Sequence, residues 1–183
     1  MAESGNYTYK YPELEMFFLE ISPYIWANLG AALAISLSVM AAAWGIALSG
    51  TTILGQAVAT PRIRTKNIIS IIFCEALAIY GIITAIIVQL KIKNTHVLHI
   101  GDYFSGYAIF WSGILVGFSN IACGIAVGVS GTSAAIADSA NPELFIKVLV
   151  IEIFASALGL FGLIVGIIQA NGASFGTDTT GII

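Results

Sequence analysis

Four apolar stretches, each long enough to cross a bilayer, restrict this chain to very few folds. They cover residues 24–48, 68–90, 107–129 and 148–168, and a membrane-crossing helix needs about 20 such residues. Lipid offers backbone amides no partners, so a span must satisfy its own hydrogen bonds. Runs of this length therefore predict helices, and the expected fold is an all-α membrane protein with four transmembrane helices. The composition agrees, with 58% hydrophobic and 9% charged residues and a mean hydropathy of +0.94. The first 20 residues carry Glu3, Lys10, Glu13, Glu15 and Glu20, which predicts neither a fifth span nor a signal peptide. Five parts follow: a polar segment 1–23, a first hairpin 24–90, a connecting loop 91–106, a second hairpin 107–169 and a tail 170–183.

The two hairpins are copies. A shift of 81 residues aligns Ser49-Gly50-Thr51 with Ser130-Gly131-Thr132, Pro61 with Pro142, Lys66 with Lys147 and Gly81 with Gly162. Between Ser49/Ser130 and Ile87/Ile168 there are 14 identities in 39 ungapped pairs. Each copy holds two spans, so both enter the membrane from the same side as parallel tandem repeats. Inverted repeats are a common mark of secondary transporters, and parallel ones lower that reading. Each hairpin turns through a polar segment with a proline, SGTTILGQAVATPRIRTK and SGTSAAIADSANPELFIK. Arg62, Arg64, Lys66 and Lys147 lie on that side, against Lys10, Lys91 and Lys93 on the other. The balance favours cytosolic hairpin turns.

Small residues recur at helical spacing in the first helix of each hairpin: Gly30, Ala34, Ser38 and Ala42, then Gly113 with Gly117 and Gly124 with Gly128. Such stripes let backbones approach closely, either inside one four-helix bundle or as a ring crowding its narrow inner side. Cys74 and Cys123 fall inside spans and read as small packing residues. His96 and His99 read as solvated loop residues, and Asn6-Tyr7-Thr8 as a chance match to a glycosylation acceptor. The net charge of −3 says little where most acids lie outside the spans, and nothing in the sequence suggests a nucleic-acid partner.

Glu75 stands in the middle of SIIFCEALAIYGII. Its helical neighbours at spacings of three and four, Ile71, Ile72, Ala78 and Ile79, offer it no partner. All seven cationic residues lie outside the spans or at their ends. An unpaired carboxylate in lipid costs several kcal/mol, and a bound proton relieves that cost. Glu75 is thus expected to be neutral against lipid and to ionise only where water or an external cation reaches it. A group of that kind carries protons once something moves it between the two environments. The plainer alternative is a structural glutamate hydrogen-bonded to Tyr80 or to a neighbouring helix.

A second acid, Glu152, is not its repeat partner: Glu75 aligns with Ser156, and Glu152 with Ile71. Four residues are about one turn, which predicts nearly the same helix face about 6 Å nearer the hairpin turn. Glu152 is a candidate second acid for transport, with a structural hydrogen-bonded role favoured. Tyr80 and Ser156 are the candidate local hydrogen-bonding residues.

Two tandem hairpins, glycine-rich first helices and an acid in a second helix resemble the proteolipid subunits of rotary ATPases. Within that family, SIIFCEALAIYGII, TPRIRTKN and NPELFIKVLVIEIFASALGLFGLIVGII are similar to the c″ proteolipids of eukaryotic vacuolar proton ATPases, over about residues 20–169. Ordinary vacuolar c proteolipids carry the working acid in the fourth helix, where this chain has Ser156. The resemblance implies a hetero-oligomeric ring with other c-type proteolipids in the V0 membrane sector of the motor. It also implies a stationary a subunit with an intramembrane arginine and a cytosolic-side rotor subunit d. Glu75 would take a proton from a cytosolic half-channel, cross the lipid face neutral and release it near that arginine, acidifying a vacuole or another endomembrane compartment. Some c″ proteolipids carry a further hydrophobic helix ahead of the four, which the charged start of this chain does not supply.

Three rival readings keep a place. A sodium-pumping ring needs several oxygen ligands around the carboxylate, and the neighbours of Glu75 are apolar. A free-standing channel or transporter needs a continuous polar path, and the spans hold only scattered polar residues such as Asn28, Asn120, Thr84 and Ser156. A purely structural assembly protein would not need Glu75. The chain has no phosphate loop, no nucleophile beside a base and no metal-ligand cluster, so it is expected to be a non-catalytic subunit without cofactor or metal, its cargo being the proton.

Overall fold

The computed structural model describes residues 20–60, 63, 65–93 and 100–176. Four helices form: α1 (Pro23–Ala59), α2 (Ile68–Gln89), α3 (Ile100–Ala140) and α4 (Leu144–Asn171). All four are long and apolar enough to span a membrane, and no strand forms among the described residues. The protein is a multi-pass membrane protein built from two helical hairpins. Arg62, Arg64, His96, His99 and the segment with Asn6-Tyr7-Thr8 lie outside the described residues.

α2 matches its expected span, but α1 and α3 are longer than hydropathy indicates, at 37 and 41 residues. The polar stretches from Ser49 to Ala59 and from Ser130 to Ala140 continue the helices instead of turning. Their hydroxyls make this possible. Thr51 Oγ1 donates to the Ala47 carbonyl at 2.7 Å, Thr52 Oγ1 to Leu48 at 3.1 Å and Ser130 Oγ to Ala126 at 2.9 Å. Polar side chains bonded to their own helix leave the backbone ladder intact. α3 also begins at Ile100, inside the stretch read as connecting loop. The turn after α3 is confined to residues 141–143, where Pro142 cannot continue the helix.

α1 and α3 run parallel and in closest contact. A β-carbon on Gly124 would meet the Ala41 carbonyl oxygen at 2.6 Å, and one on Gly128 would meet Gly45 Cα at 2.8 Å. Gly113 packs directly on the Gly30 backbone, and Gly117 on Leu37. Gly30, Ala34, Ser38 and Ala42 are buried, as are Gly113, Gly117, Gly124 and Gly128 of α3. The small-residue stripes are therefore spent inside one chain, where α1 meets α3. α2 leans on α1 through Gly81, whose β-carbon would lie 2.6 Å from the Ala34 carbonyl oxygen, and α4 leans on α3.

The far end from the hairpin turns is closed by the chain's own tail. Ser105 Oγ donates to the Ser174 carbonyl at 2.9 Å and accepts from the Ser174 amide at 3.0 Å. Phe175 stacks on Tyr24 with ring centroids 5.1 Å apart. The return ends at Gly176, whose φ of 72° is open to a residue without a β-carbon. Its amide then reaches Asp102 Oδ1 at 2.8 Å.

Candidate functional site

α2 carries a stripe of exposed isoleucines, Ile68, Ile72, Ile79, Ile82 and Ile86. Glu75 occupies the same stripe, at the helical spacing between Ile72 and Ile79, and is itself exposed. The opposite face, with Ser70, Cys74, Leu77, Gly81 and Thr84, is buried in the bundle. The single charged residue of α2 thus lies on the exposed face of the helix, away from the rest of the bundle. It stands seven residues from Ile68 and fourteen from Gln89, about 10 and 21 Å along the axis. That is inside a hydrocarbon layer of about 30 Å, but nearer the hairpin-turn end than its middle.

The structure does not bring Tyr80 to Glu75. Five residues rotate a helix by about 140°, which turns the Tyr80 ring toward the cluster of Cys74, Leu77 and Cys123. Ser156 Oγ donates to its own helix, at the Ile153 carbonyl, 2.8 Å away. Neither candidate hydroxyl supports Glu75. The cysteines are free and buried, packing as the sequence predicts.

Glu152 departs from its expected position. It is 0% exposed, whereas one turn on Ser156 is only half-buried. Its carboxylate oxygen Oε2 accepts from Ser70 Oγ of α2 at 3.0 Å. A β-carbon on Gly131 would lie 2.9 Å from Oε1 and 3.1 Å from Ser49 Cβ, so the carboxyl sits where α1, α2 and α3 converge. The four-residue offset adds about 40° of rotation to one full turn. Its repeat partner Ile71 already leans inward, packed beside Ile53, Ile63 and Ala135, and a position on that side of α4 buries its side chain. The two acids occupy opposite environments.

Several contacts of this interior escaped the sequence reading. Asp138, 0% exposed, pairs with Lys66 Nζ at 2.6 Å, joining the start of α2 to the end of α3. The same ammonium lies 4.8 Å over the Phe145 ring of α4. Asn120 Nδ2 donates to Ser38 Oγ at 2.7 Å. Apart from the aligned SGT triplets, which hold Ser49 and Gly131, the repeat gave no hint of them: Ser70, Asn67 and Asp138 face Ile151, Val148 and Ala57 at the 81-residue shift.

The comparison with protein families decides what this geometry belongs to. The family model of the ATP synthase C subunit matches twice, over residues 29–88 and 110–169. The chain belongs to that family. The family's unit is a helical hairpin here, present in duplicate, and its boundaries follow the two hairpins of the fold. Among curated relatives, the V-type proton ATPase c″ subunit of Saccharomyces cerevisiae is 54% identical over 161 residues, covering 86% of this chain and 76% of its own. The V-type proton ATPase c″2 subunit of Arabidopsis thaliana is 52% identical over 162 residues, covering 87% and 91%. The V-type proton ATPase 16 kDa proteolipid, a c subunit, of Rattus norvegicus is more distant, 34% identical over 160 residues, covering 87% and 95%. Glu75 stands in the first of the two matched hairpins.

Proposed function

We propose that this chain is a c″-type proton-carrying proteolipid of the rotating membrane ring of a V-type ATPase, with Glu75 as the group that binds and releases the proton. The observation that carries the reading is the isolation of Glu75 on an exposed isoleucine stripe. A carboxyl there moves through lipid only as the neutral acid. It takes one proton from a half-channel on the hairpin-turn side, crosses the lipid face, and gives that proton up beside the arginine of the stationary a subunit. The guanidinium stabilises the carboxylate left behind until the next proton arrives. ATP is hydrolysed on other subunits, and the chain itself is a non-catalytic membrane subunit that needs no cofactor.

The proposed partners are other c-type proteolipids in a hetero-oligomeric ring, the a subunit, rotor subunit d on the cytosolic side, and lipid. The membrane is that of the vacuole or another acidic compartment, with the hairpin turns in the cytosol. The surroundings of Glu75 favour protons over sodium, because Tyr80 and Ser156 are turned elsewhere and the flanking side chains are isoleucines.

The test is ATP-driven acidification of membrane vesicles carrying the natural chain or Glu75→Gln, with ring assembly followed by native electrophoresis. The amide keeps the shape and removes the titrating group. Assembled complexes without pumping are the expected result. Pumping at the natural rate in assembled Glu75→Gln complexes would sink the assignment.

A further inference from the structure

Two buried polar groups near the hairpin-turn end have unfinished hydrogen bonding. Glu152 is 0% exposed and, with Oε2 held by Ser70, its Oε1 has no partner among the described residues. Asn67 is 1% exposed, and both Nδ2 and Oδ1 of its amide are likewise unpartnered. Each buried polar atom left in that state costs about 1–3 kcal/mol. Ser70, which holds Glu152, follows Asn67 by three residues on α2. Asn67 has helical dihedrals, φ −78° and ψ −10°, at the entry to α2. It therefore lies about 4.5 Å along the axis from Ser70 and about 60° around it, on the side that both residues bury.

The charge around Glu152 decides what occupies such a site. Ser49, Ser70, Cys74 and the backbone of Gly131 face it, and all are neutral. Lys66 is committed to Asp138 at 2.6 Å, and among the described residues no cation pairs with Glu152. A carboxyl in that setting holds its proton, so Oε1 is a hydroxyl that needs an acceptor, while Asn67 needs both a donor and an acceptor. Water supplies all of these, and a buried water takes two to four such partners.

We propose that Glu152, Ser70 and Asn67 form an internal water-binding site in which Glu152 is a resident neutral acid. Its Oε1 hydroxyl donates to the water and Ser70 donates to Oε2. The water in turn donates to Asn67 Oδ1, and its second lone pair accepts from Nδ2. The glycine at 131 keeps the α3 backbone clear of the acid. The site faces the bundle interior, away from Glu75, and does not depend on the proton path proposed above.

A high-resolution cryo-electron-microscopy map of the assembled complex should show a density peak within hydrogen-bond distance of both Glu152 Oε1 and the Asn67 amide. No peak, or a peak with the shorter contacts of a metal ion, overturns the proposal. The protonated carboxyl should also give an infrared carbonyl band that is lost in Glu152→Gln and constant across neutral pH; a band that titrates in that range refutes the resident proton. A double-mutant cycle on the temperature of ring dissociation supplies a solution measurement. Asn67→Ala and Glu152→Leu should each lower that temperature, and the double variant should lose less than the sum, since both remove partners of one water. Strictly additive losses count against a shared ligand. None of these readouts requires Glu75 to be the proton carrier.

Discussion

The two hairpins descend from one pattern, yet each handles its acid in the opposite way. In the first, Glu75 is displayed on the outer face among isoleucines. In the second, Glu152 is withdrawn to 0% exposure and held by a serine of the first hairpin. Four residues along a helix and about 40° of rotation separate the two arrangements. Repeat symmetry thus conveys the scaffold without conveying the chemistry, because the environment of a carboxyl changes completely between adjacent helical faces.

The sharpest way to break that contrast is to neutralise the acids separately. Glu75→Gln should reduce ATP-driven acidification to background in assembled complexes, while Glu152→Gln should cost less pumping, both read by dye quenching in the same vesicles. Equal losses would erase the distinction between displayed and withdrawn acids. The next effect concerns the buried face behind Glu75. Leu77 is 0% exposed, and Leu77→Ala should destabilise the assembled ring by about 2 kcal/mol. That is the low end for such truncations, since lipid removes the hydrophobic driving force and leaves only packing.

A smaller loss, about 1–2 kcal/mol, is expected for Gly131→Ala, whose β-carbon would lie 2.9 Å from Glu152 Oε1. Denaturant titration of the detergent-solubilised complex, with and without Glu152→Ala, shows whether the clash runs through the acid. The smallest effect belongs to the display face. Ile79 is 50% exposed, and Ile79→Ala should change the same midpoint by less than about 0.5 kcal/mol. A loss as large as that of Leu77→Ala would mean that this face is covered in the assembly.

Much of the scaffold was legible because lipid makes patterns blunt. The run of apolar residues before and after Glu75 fixes a helix, and the triplets at Ser49 and Ser130 reveal the duplication. Glu75 itself was legible as the only charge in that run. Helix ends were not, since hydropathy reports where lipid stops and not where the backbone ladder stops. Thr51, Thr52 and Ser130 look like turn residues until their hydroxyls are seen bonded to their own helix. The inward turn of Glu152 was hidden for a different reason: an apolar helix in lipid has no polar side from which to read its orientation. The inner side of α4 is marked by packing shape, through small buried residues such as Gly159 and Gly162, and not by polarity.

The serine that holds Glu152, the Ser112 hydroxyl that donates to the Gly166 carbonyl at 2.7 Å and the tail bonds at Ser174 and Gly176 together act on α4 as stops on a sliding rod. From Glu152 to the helix end at Asn171 is 19 residues, about 28 Å. Apolar contacts in lipid resist sliding along the helix axis only weakly, because one methyl group replaces another at similar cost. Directional bonds along its length do resist it, and a slip of one turn, about 5.4 Å, would break them together. Shear along this outer helix is therefore carried by a few polar atoms, and the register of α4 is set by them.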